Sequence, residues 1–112
     1  MATTDDLRKI ALGLDGASEA PHFERTAFKA RRIFATLAAD GLTANIRFPP
    51  EEQEFRCEAQ PEAYRPVANK WGAQGWTHAE LSALSVDDLK AALTSAWRYQ
   101  DVPGRSRAKR RG

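Results

Sequence analysis

The stretch from Thr26 to Phe48 constrains the fold of this chain more than any other. Two apolar runs in it flank Asp40-Gly41. Asp-Gly between strand-forming runs is a strong hairpin signal, because glycine readily adopts the positive φ that a tight turn needs. A third run comes before them and turns at Arg31-Arg32, so the stretch predicts a three-stranded antiparallel meander. The three strands are expected at 26–30, 33–38 and 42–48.

The pattern of apolar and polar residues within the meander predicts which side chains point to the packed face of the sheet and which to the solvated face. In the third strand one set of side chains is apolar and the alternate set is polar, which is typical of a strand with one packed and one solvated face. The second strand is apolar on both faces, and we therefore expect it to lie centrally. The apolar set of the third strand is Leu42, Ala44, Ile46 and Phe48, and the polar set is Thr43, Asn45 and Arg47.

Periodicity and capping signals place the other elements. The Pro49-Pro50-Glu51-Glu52 segment starts a short helix, and Ser85 starts the longest helix. Further elements are a strand that Pro66 makes less favourable, because proline cannot donate a hydrogen bond in a sheet, and a last strand that begins at Trp76. The full order is a helix at 3–14, a loop at 15–25, the meander, a helix to about 59, a strand at 65–70, a turn at 71–75, a strand at 76–81 and a helix to about 100.

This order predicts an α+β fold. Each long helix has one apolar stripe and the sheet has one apolar face. We therefore expect a five-stranded antiparallel sheet, made of the meander plus a hairpin, with the N- and C-terminal helices packed on one face. The other face of the sheet is expected to stay open.

Length and charge indicate one domain and a distinct tail. The 112 residues provide one core, which we expect at 1–102. The segment 103–112 has five basic residues and no acid, whereas residues 1–102 have 12 Lys and Arg against 15 Asp and Glu. The tail is expected to be disordered, since it has almost no apolar side chain to offset the entropy of ordering.

Location and catalysis are constrained mainly by missing signals. A single Cys57, no leader pattern and no long apolar run favour a cytoplasmic protein without membrane contact. No phosphate loop, metal-spaced cluster or nucleophile turn is found, so we expect no enzyme activity, cofactor or metal. Cys57 is interpreted as a small buried residue, His22 as part of a surface loop and His78 as part of the open face. The acidic residues Glu51, Glu52, Glu54 and Glu58 are interpreted as a solvated helix face.

Two groups of residues carry functional signal. The first group is basic and lies on or near the meander; Arg31 and Arg32 at its hairpin turn could reach phosphates, or the charges could simply discourage edge pairing. Its members are Arg25, Lys29, Arg31, Arg32 and Arg47. The second group is mainly aromatic and could form a ligand or partner face, or its tryptophans could plug the end of the core. The predicted nucleic-acid-binding residues are Lys29, Arg31, Arg32, Arg47 and Lys70. The predicted ligand or partner residues are Trp71, Trp76 and His78.

Four segments together resemble the MmcQ/YjbR family. The second of them is similar to the first-hairpin signature Phe-Lys/Arg-Val-x-Gly-Lys-x-Phe-Ala, although Ala30-Arg31-Arg32 replaces its glycine turn. That replacement predicts either a bulge or an arginine at positive φ. The segments are Leu14-Asp15-Gly16, Phe28-Lys29-Ala30-Arg31-Arg32-Ile33-Phe34-Ala35, Trp76-Thr77-His78-Ala79-Glu80-Leu81 and Ala96-Trp97-Arg98.

The resemblance implies a CyaY-like (frataxin-like) α+β fold and a DNA-binding protein, without iron binding. The predicted function is therefore a non-catalytic module that contacts phosphates through the basic hairpin and tail. The alternative is a protein-interaction or small-ligand-binding module that uses the open sheet face.

Overall fold

The computed structural model describes residues 1–100, except for the side chain of Asn69, as a six-stranded sheet with helices. The strands are β1 Ser18–His22, β2 Arg25–Lys29, β3 Ile33–Leu37, β4 Thr43–Arg47, β5 Tyr64–Pro66 and β6 Trp76–Glu80. The helices are α1 Thr4–Gly13, α2 Pro50–Ala59, α3 Asn69–Ala73 and α4 Val86–Gln100, with a 3₁₀ turn at Leu81–Ala83. The predicted tail at 103–112 lies outside the described residues.

The sheet is antiparallel throughout, in the order β1-β2-β3-β4-β6-β5. The predicted meander is confirmed as β2-β3-β4, with the doubly apolar β3 in the interior of the sheet. Gly41 has a φ of +75°, and the Leu42 N–H donates to Asp40 Oδ1 at 2.9 Å. The Asp-Gly signal therefore acts through the backbone freedom of glycine and a side-chain cap on the turn.

The expectation of five strands is wrong because a sixth strand, β1, lies where a loop was predicted. Four of the five residues of β1 are exposed, and Pro21 is one of them. An edge strand of this kind has no apolar alternation, and proline is tolerated at a sheet edge. β1 pairs with β2 through a two-residue turn in which Phe23 has a φ of +59°.

The stretch between α2 and β6 also differs from the prediction. The strand expected at 65–70 is only the three-residue β5, and the expected turn at 71–75 is mostly the short helix α3. β5 ends at Pro66, although the Val67 N–H still donates to Trp76 O at 3.0 Å, and the chain then turns into α3. Gly72 permits this, because a Cβ there would lie 1.9 Å from the Val67 carbonyl oxygen.

The turn between β2 and β3 is bulged and tied to α4. The register shifts between Phe28 and Lys29, and the extra residue in β3 lets both Phe34 and Ala35 be fully buried. The Arg32 N–H donates to Gln100 Oε1 at 2.8 Å. Among the described residues other than glycine only Phe23 has a positive φ, so the structure takes the bulge and not the strained arginine.

The core lies between one face of the sheet and the two long helices. Leu7 of α1 and Leu89 and Leu93 of α4 are fully buried in the same cluster as Ile46 and Phe28. α1 starts with a capping box, in which Thr3 and Asp6 each bond to the backbone of the other. We call the opposite side of the sheet, away from α1 and α4, the open face.

Candidate functional site

The strand register determines which side chains point to the open face. Ala44 and Ile46 of β4 are buried in the core, so Asn45 between them points the other way. Its register partners Thr36 on β3 and His78 on β6 share that face. A cavity of about 410 Å³ lies on the open face and is lined by His22, Arg25, Ile33, Thr36, Asn45, Val67, Trp71 and Trp76.

Two tryptophans form the aromatic part of this cavity, and two glycines place them. Trp76 is the first residue of β6 and is half-buried, whereas Trp71 on α3 is half-exposed. Gly72 brings α3 against Val67, which lines the same cavity. Gly75 has a φ of +100°, and a Cβ there would lie 2.0 Å from the Phe48 carbonyl oxygen. Both close approaches require glycine, so they fix where the tryptophans lie.

The polar part of the cavity is centred on Arg25. Its Nε donates to Thr36 Oγ1 at 2.8 Å and its Nη2 to Thr36 O at 3.4 Å. Within the described residues no carboxylate lies within ion-pair distance of this guanidinium, and burial lowers its pKa. A partly desolvated cation held in position by a neutral threonine is suited to receive an anion.

Asn45 adds an amide to the cavity beside this cation. Its side chain is half-buried and has no hydrogen-bond partner among the described residues. An amide offers both donors and an acceptor. No aspartate or glutamate lines the cavity, so its described lining is neutral or positive.

The structure brings together two of the three residues predicted for the ligand or partner face. Trp71 and Trp76 line one cavity, whereas His78 lies farther along β6 and outside it. His78 Nε2 lies 3.2 Å from Glu80 Oε2. The interpretation that the tryptophans only plug the core does not describe Trp71, which is 51 % exposed.

The five predicted phosphate-contacting residues lie toward one end of the sheet. Lys29 pairs with Ile33 at the β2–β3 turn, which contains Arg31 and Arg32, and Arg47 pairs with Trp76 at the same end. Lys70 lies on α3, directly before the start of β6. The two ends of α4 differ in charge, with acids in the first turn and Arg98 in the last.

These basic residues are not equally available. Lys29, Arg32 and Lys70 are exposed. Arg47 is half-buried, with its Nε donating to Gln74 O at 3.0 Å and its guanidinium carbon 5.4 Å from the centre of the Tyr99 ring. Arg47 therefore helps to hold the end of the sheet against α4.

Most of the cavity lining was not predicted from sequence. His22 lies on β1, and the prediction of a loop there hid its place on the open face. Ile33 faces the cavity because of the bulge, which reverses the alternation of β3. Arg25, Trp71 and Trp76 belonged to the predicted functional groups, and of the other lining residues Asn45 had a usable signal, since the alternation of its strand already pointed it to the solvated face.

The remaining sequence expectations concern Cys57 and the metal-ligating side chains of residues 1–100. Cys57 is half-buried, not fully buried as expected, and burial raises the pKa of its thiol. Within residues 1–100, no three His, Cys, Asp or Glu side chains are grouped closely enough to hold a metal ion. None of the helices described is long and apolar enough to cross a lipid bilayer.

Comparison with known proteins places this antiparallel α+β domain in a family. Protein DR2400 of Deinococcus radiodurans, described by the family-model domain DUF419, has a crystal structure with a similar fold. The TM-score is 0.81, with 24 % sequence identity over 98 % of this chain and 86 % of that one. The YjbR family model matches residues 12–99. The chain therefore belongs to the YjbR family. No curated protein gives a significant match.

Proposed function

We propose that this protein is a non-catalytic binding module whose ligand site is the cavity on the open face. The observation that carries the proposal is the convergence of Trp71, Trp76, Arg25 and Asn45 on one space of about 410 Å³. Small-molecule sites typically measure about 300–1,000 Å³ and combine apolar or aromatic walls with a few placed polar groups. The cavity has both properties.

The residues around the cavity favour binding over catalysis. Arg25 is held by Thr36 through two donors, and neither group is a nucleophile with an adjacent base. His22 stacks edge-on against Phe23, with ring centres 4.9 Å apart, and has no described carboxylate partner. The site can therefore hold and orient a molecule, but it lacks the paired acid and base of a hydrolytic centre.

Tryptophan fluorescence provides the test, because Trp71 and Trp76 line the cavity and Trp97 does not. Trp97 on α4 donates from Nε1 to Asp15 O and does not line the cavity. In a Trp97→Phe variant, emission comes only from Trp71 and Trp76. We expect a panel of small aromatic acids, amines and neutral compounds to contain ligands that change this emission and raise the unfolding temperature.

The matched control retains the distant tryptophan alone. In a Trp71→Phe/Trp76→Phe variant, the same ligands are expected to leave the Trp97 emission unchanged. If no compound changes the emission of the Trp97→Phe variant or its unfolding temperature, the cavity is not a small-ligand site. Equal changes in both variants would locate binding elsewhere on the protein.

Nucleic-acid binding is a second candidate, supported by the placement of basic residues at one end of the sheet. The exposed Lys29, Arg31 and Arg32 lie at the end where α4 finishes. In the sequence, the five basic residues of 103–112 follow from there. Phosphate contacts of this kind carry little base specificity. The CyaY-like comparison drawn from the family resemblance likewise stays a prediction.

A salt-dependent titration tests this second candidate. We expect affinity for a labelled DNA duplex to fall steeply between about 50 and 200 mM salt, because each neutralised phosphate releases counterions. Arg31→Glu/Arg32→Glu should weaken binding, whereas Lys90→Glu, an exposed change on α4, is the control. Affinity that is absent at low salt, or equally reduced by both variants, would refute a role for the β2–β3 turn.

A further inference from the structure

We propose that the cavity on the open face takes a planar aromatic anion: one aromatic ring system that carries a carboxylate or a phosphate group. The ring would lie against Trp71 and Trp76, and the anionic oxygens would be bound by Arg25. This inference rests on the proposed function, since it names the class of ligand for the same cavity.

The aromatic part of the ligand follows from the walls. Trp71 and Trp76 come from adjacent elements on the two sides of Gly75, and Val67 and Ile33 add apolar surface to the same cavity. A flat ring stacks on tryptophan more favourably than an aliphatic chain does, because aromatic pairs gain energy beyond the area they bury. The volume of about 410 Å³ is near the lower end for ligand sites, which favours a single ring system.

The anionic part follows from the charges around the cavity. Arg25 is the one side chain in the lining with a permanent charge, and that charge is positive. Acids close to this part of the sheet do not line the cavity: Glu24 precedes Arg25 in the chain, Asp40 acts on Arg25 only through a longer-range field, and Glu80 is bonded to His78. An anion in the cavity would be attracted by Arg25, and no carboxylate in the described lining would repel it.

The geometry of Arg25 leaves donors for such a group. A guanidinium has five N–H donors, and Thr36 accepts from two of its nitrogens. The bonds to Thr36 hold the side chain in one position, so little further rotamer entropy is lost when a ligand binds. The unpartnered amide of Asn45 can bond to a polar edge of the ring or to the anionic group.

A matched pair of probes separates the charge from the ring. We would titrate the Trp97→Phe protein with naphthalene-2-carboxylate and with naphthalene-2-carboxamide, which share ring and shape but differ in charge. The salt concentration is about 150 mM, at which the Debye length of about 8 Å screens distant surface charges. The carboxylate is expected to bind about tenfold more tightly or better, as a charge-assisted bond to a partly buried guanidinium implies.

A second pair identifies the source of the anionic group. Adenosine 5′-monophosphate is compared with adenosine, and inorganic phosphate is titrated alone. A preference for the nucleotide over adenosine indicates a phosphate ligand, and a preference confined to the naphthalene pair indicates a carboxylate. Inorganic phosphate that binds as tightly as the nucleotide would overturn the proposal, because the ring would then contribute nothing.

Substitution of the cation tests its place in the site. Arg25→Gln should reduce the affinity for the carboxylate to that for the carboxamide, with the carboxamide affinity unchanged. Retained carboxamide binding also shows that the variant is folded. The control is Arg65→Gln, because Arg65 is an exposed cation on the neighbouring β5 that does not line the cavity. It should leave both affinities unchanged.

The outcomes separate this inference from the function on which it rests. Equal affinities for the two naphthalene compounds, both located in the cavity by tryptophan emission, would overturn the anion preference and leave the binding site in place. A loss of charge preference in Arg65→Gln but not in Arg25→Gln would also overturn it. Failure of every probe and of the compound panel would instead refute the cavity as a binding site.

Discussion

Gly75 is the position at which a single added methyl group should disturb both the stability and the candidate site. Its φ of +100° lies in a region that side chains with a Cβ rarely adopt, and a Cβ would lie 2.0 Å from the Phe48 carbonyl oxygen. The obstacle is backbone and cannot rotate away. The same turn is held by the Phe48 N–H, which donates to Gly75 O at 2.9 Å. Gly75→Ala must therefore shift the backbone on both sides of this contact.

The expected cost can be worked from these two effects. A non-glycine residue in a disfavoured backbone region costs about 1–3 kcal/mol. Loss of the adjoining backbone hydrogen bond adds about 0.5–1.5 kcal/mol. We therefore expect Gly75→Ala to lower the free energy of unfolding by roughly 1.5–4.5 kcal/mol. At about 4 °C per kcal/mol for a domain of this size, the unfolding temperature should fall by about 6–18 °C.

The matched control is Gly13→Ala at the end of α1. No heavy atom lies within 4 Å of the Cβ position there, and φ is not in the positive range. Alanine should be neutral or stabilise by about 0.4–1 kcal/mol, because it restricts the unfolded chain and favours helix. Urea unfolding followed by circular dichroism measures both variants. If the free energy of unfolding of the Gly75→Ala protein is within about 0.5 kcal/mol of that of the parent, the close approach to Phe48 is refuted.

Three further substitutions or reagents test local contacts. Thr3→Ala removes the side chain that caps α1 and should lower the free energy of unfolding by about 1 kcal/mol in urea titrations; no change would contradict the cap. Gln53→Ala removes an amide that donates to Gly72 O, Trp76 O and Thr77 Oγ1, and should cost about 1–3 kcal/mol. The exposed Glu54→Ala is its control, and an equal cost for the two would count against the bridge. Burial raises the pKa of the Cys57 thiol, so its alkylation by iodoacetamide should reach half its maximum rate at a higher pH in the folded protein than in urea. An equal or lower pH in the folded protein would refute the shift.

Local signals in the sequence were sufficient for the meander, the cap of α1 and the helices α1, α2 and α4. These signals are local: the Asp40-Gly41 turn, the alternation of β4 and the acids at the start of α1 each affect only residues close to them in the sequence. Their structural consequences can therefore be predicted without knowledge of the tertiary fold. The interior place of β3 also followed, since apolar side chains on both faces favour a strand with a neighbour on each side. The edge strand β1 gave no such signal because most of its residues are exposed.

The cavity depended on tertiary structure. Arg25, Asn45 and Trp76 are far apart in the sequence and become neighbours because their strands lie in one sheet, in which β6 pairs with β4. The bulge in β3 adds Ile33 to the same cavity by turning its side chain to the open face. The sequence by itself determined the β2-β3-β4 meander and the helices α1, α2 and α4, because periodicity and backbone preference are local properties. Only the tertiary structure decided that Arg25 and two tryptophans share one space, because lateral strand order and the close backbone approaches at Gly72 and Gly75 depend on contacts between distant segments.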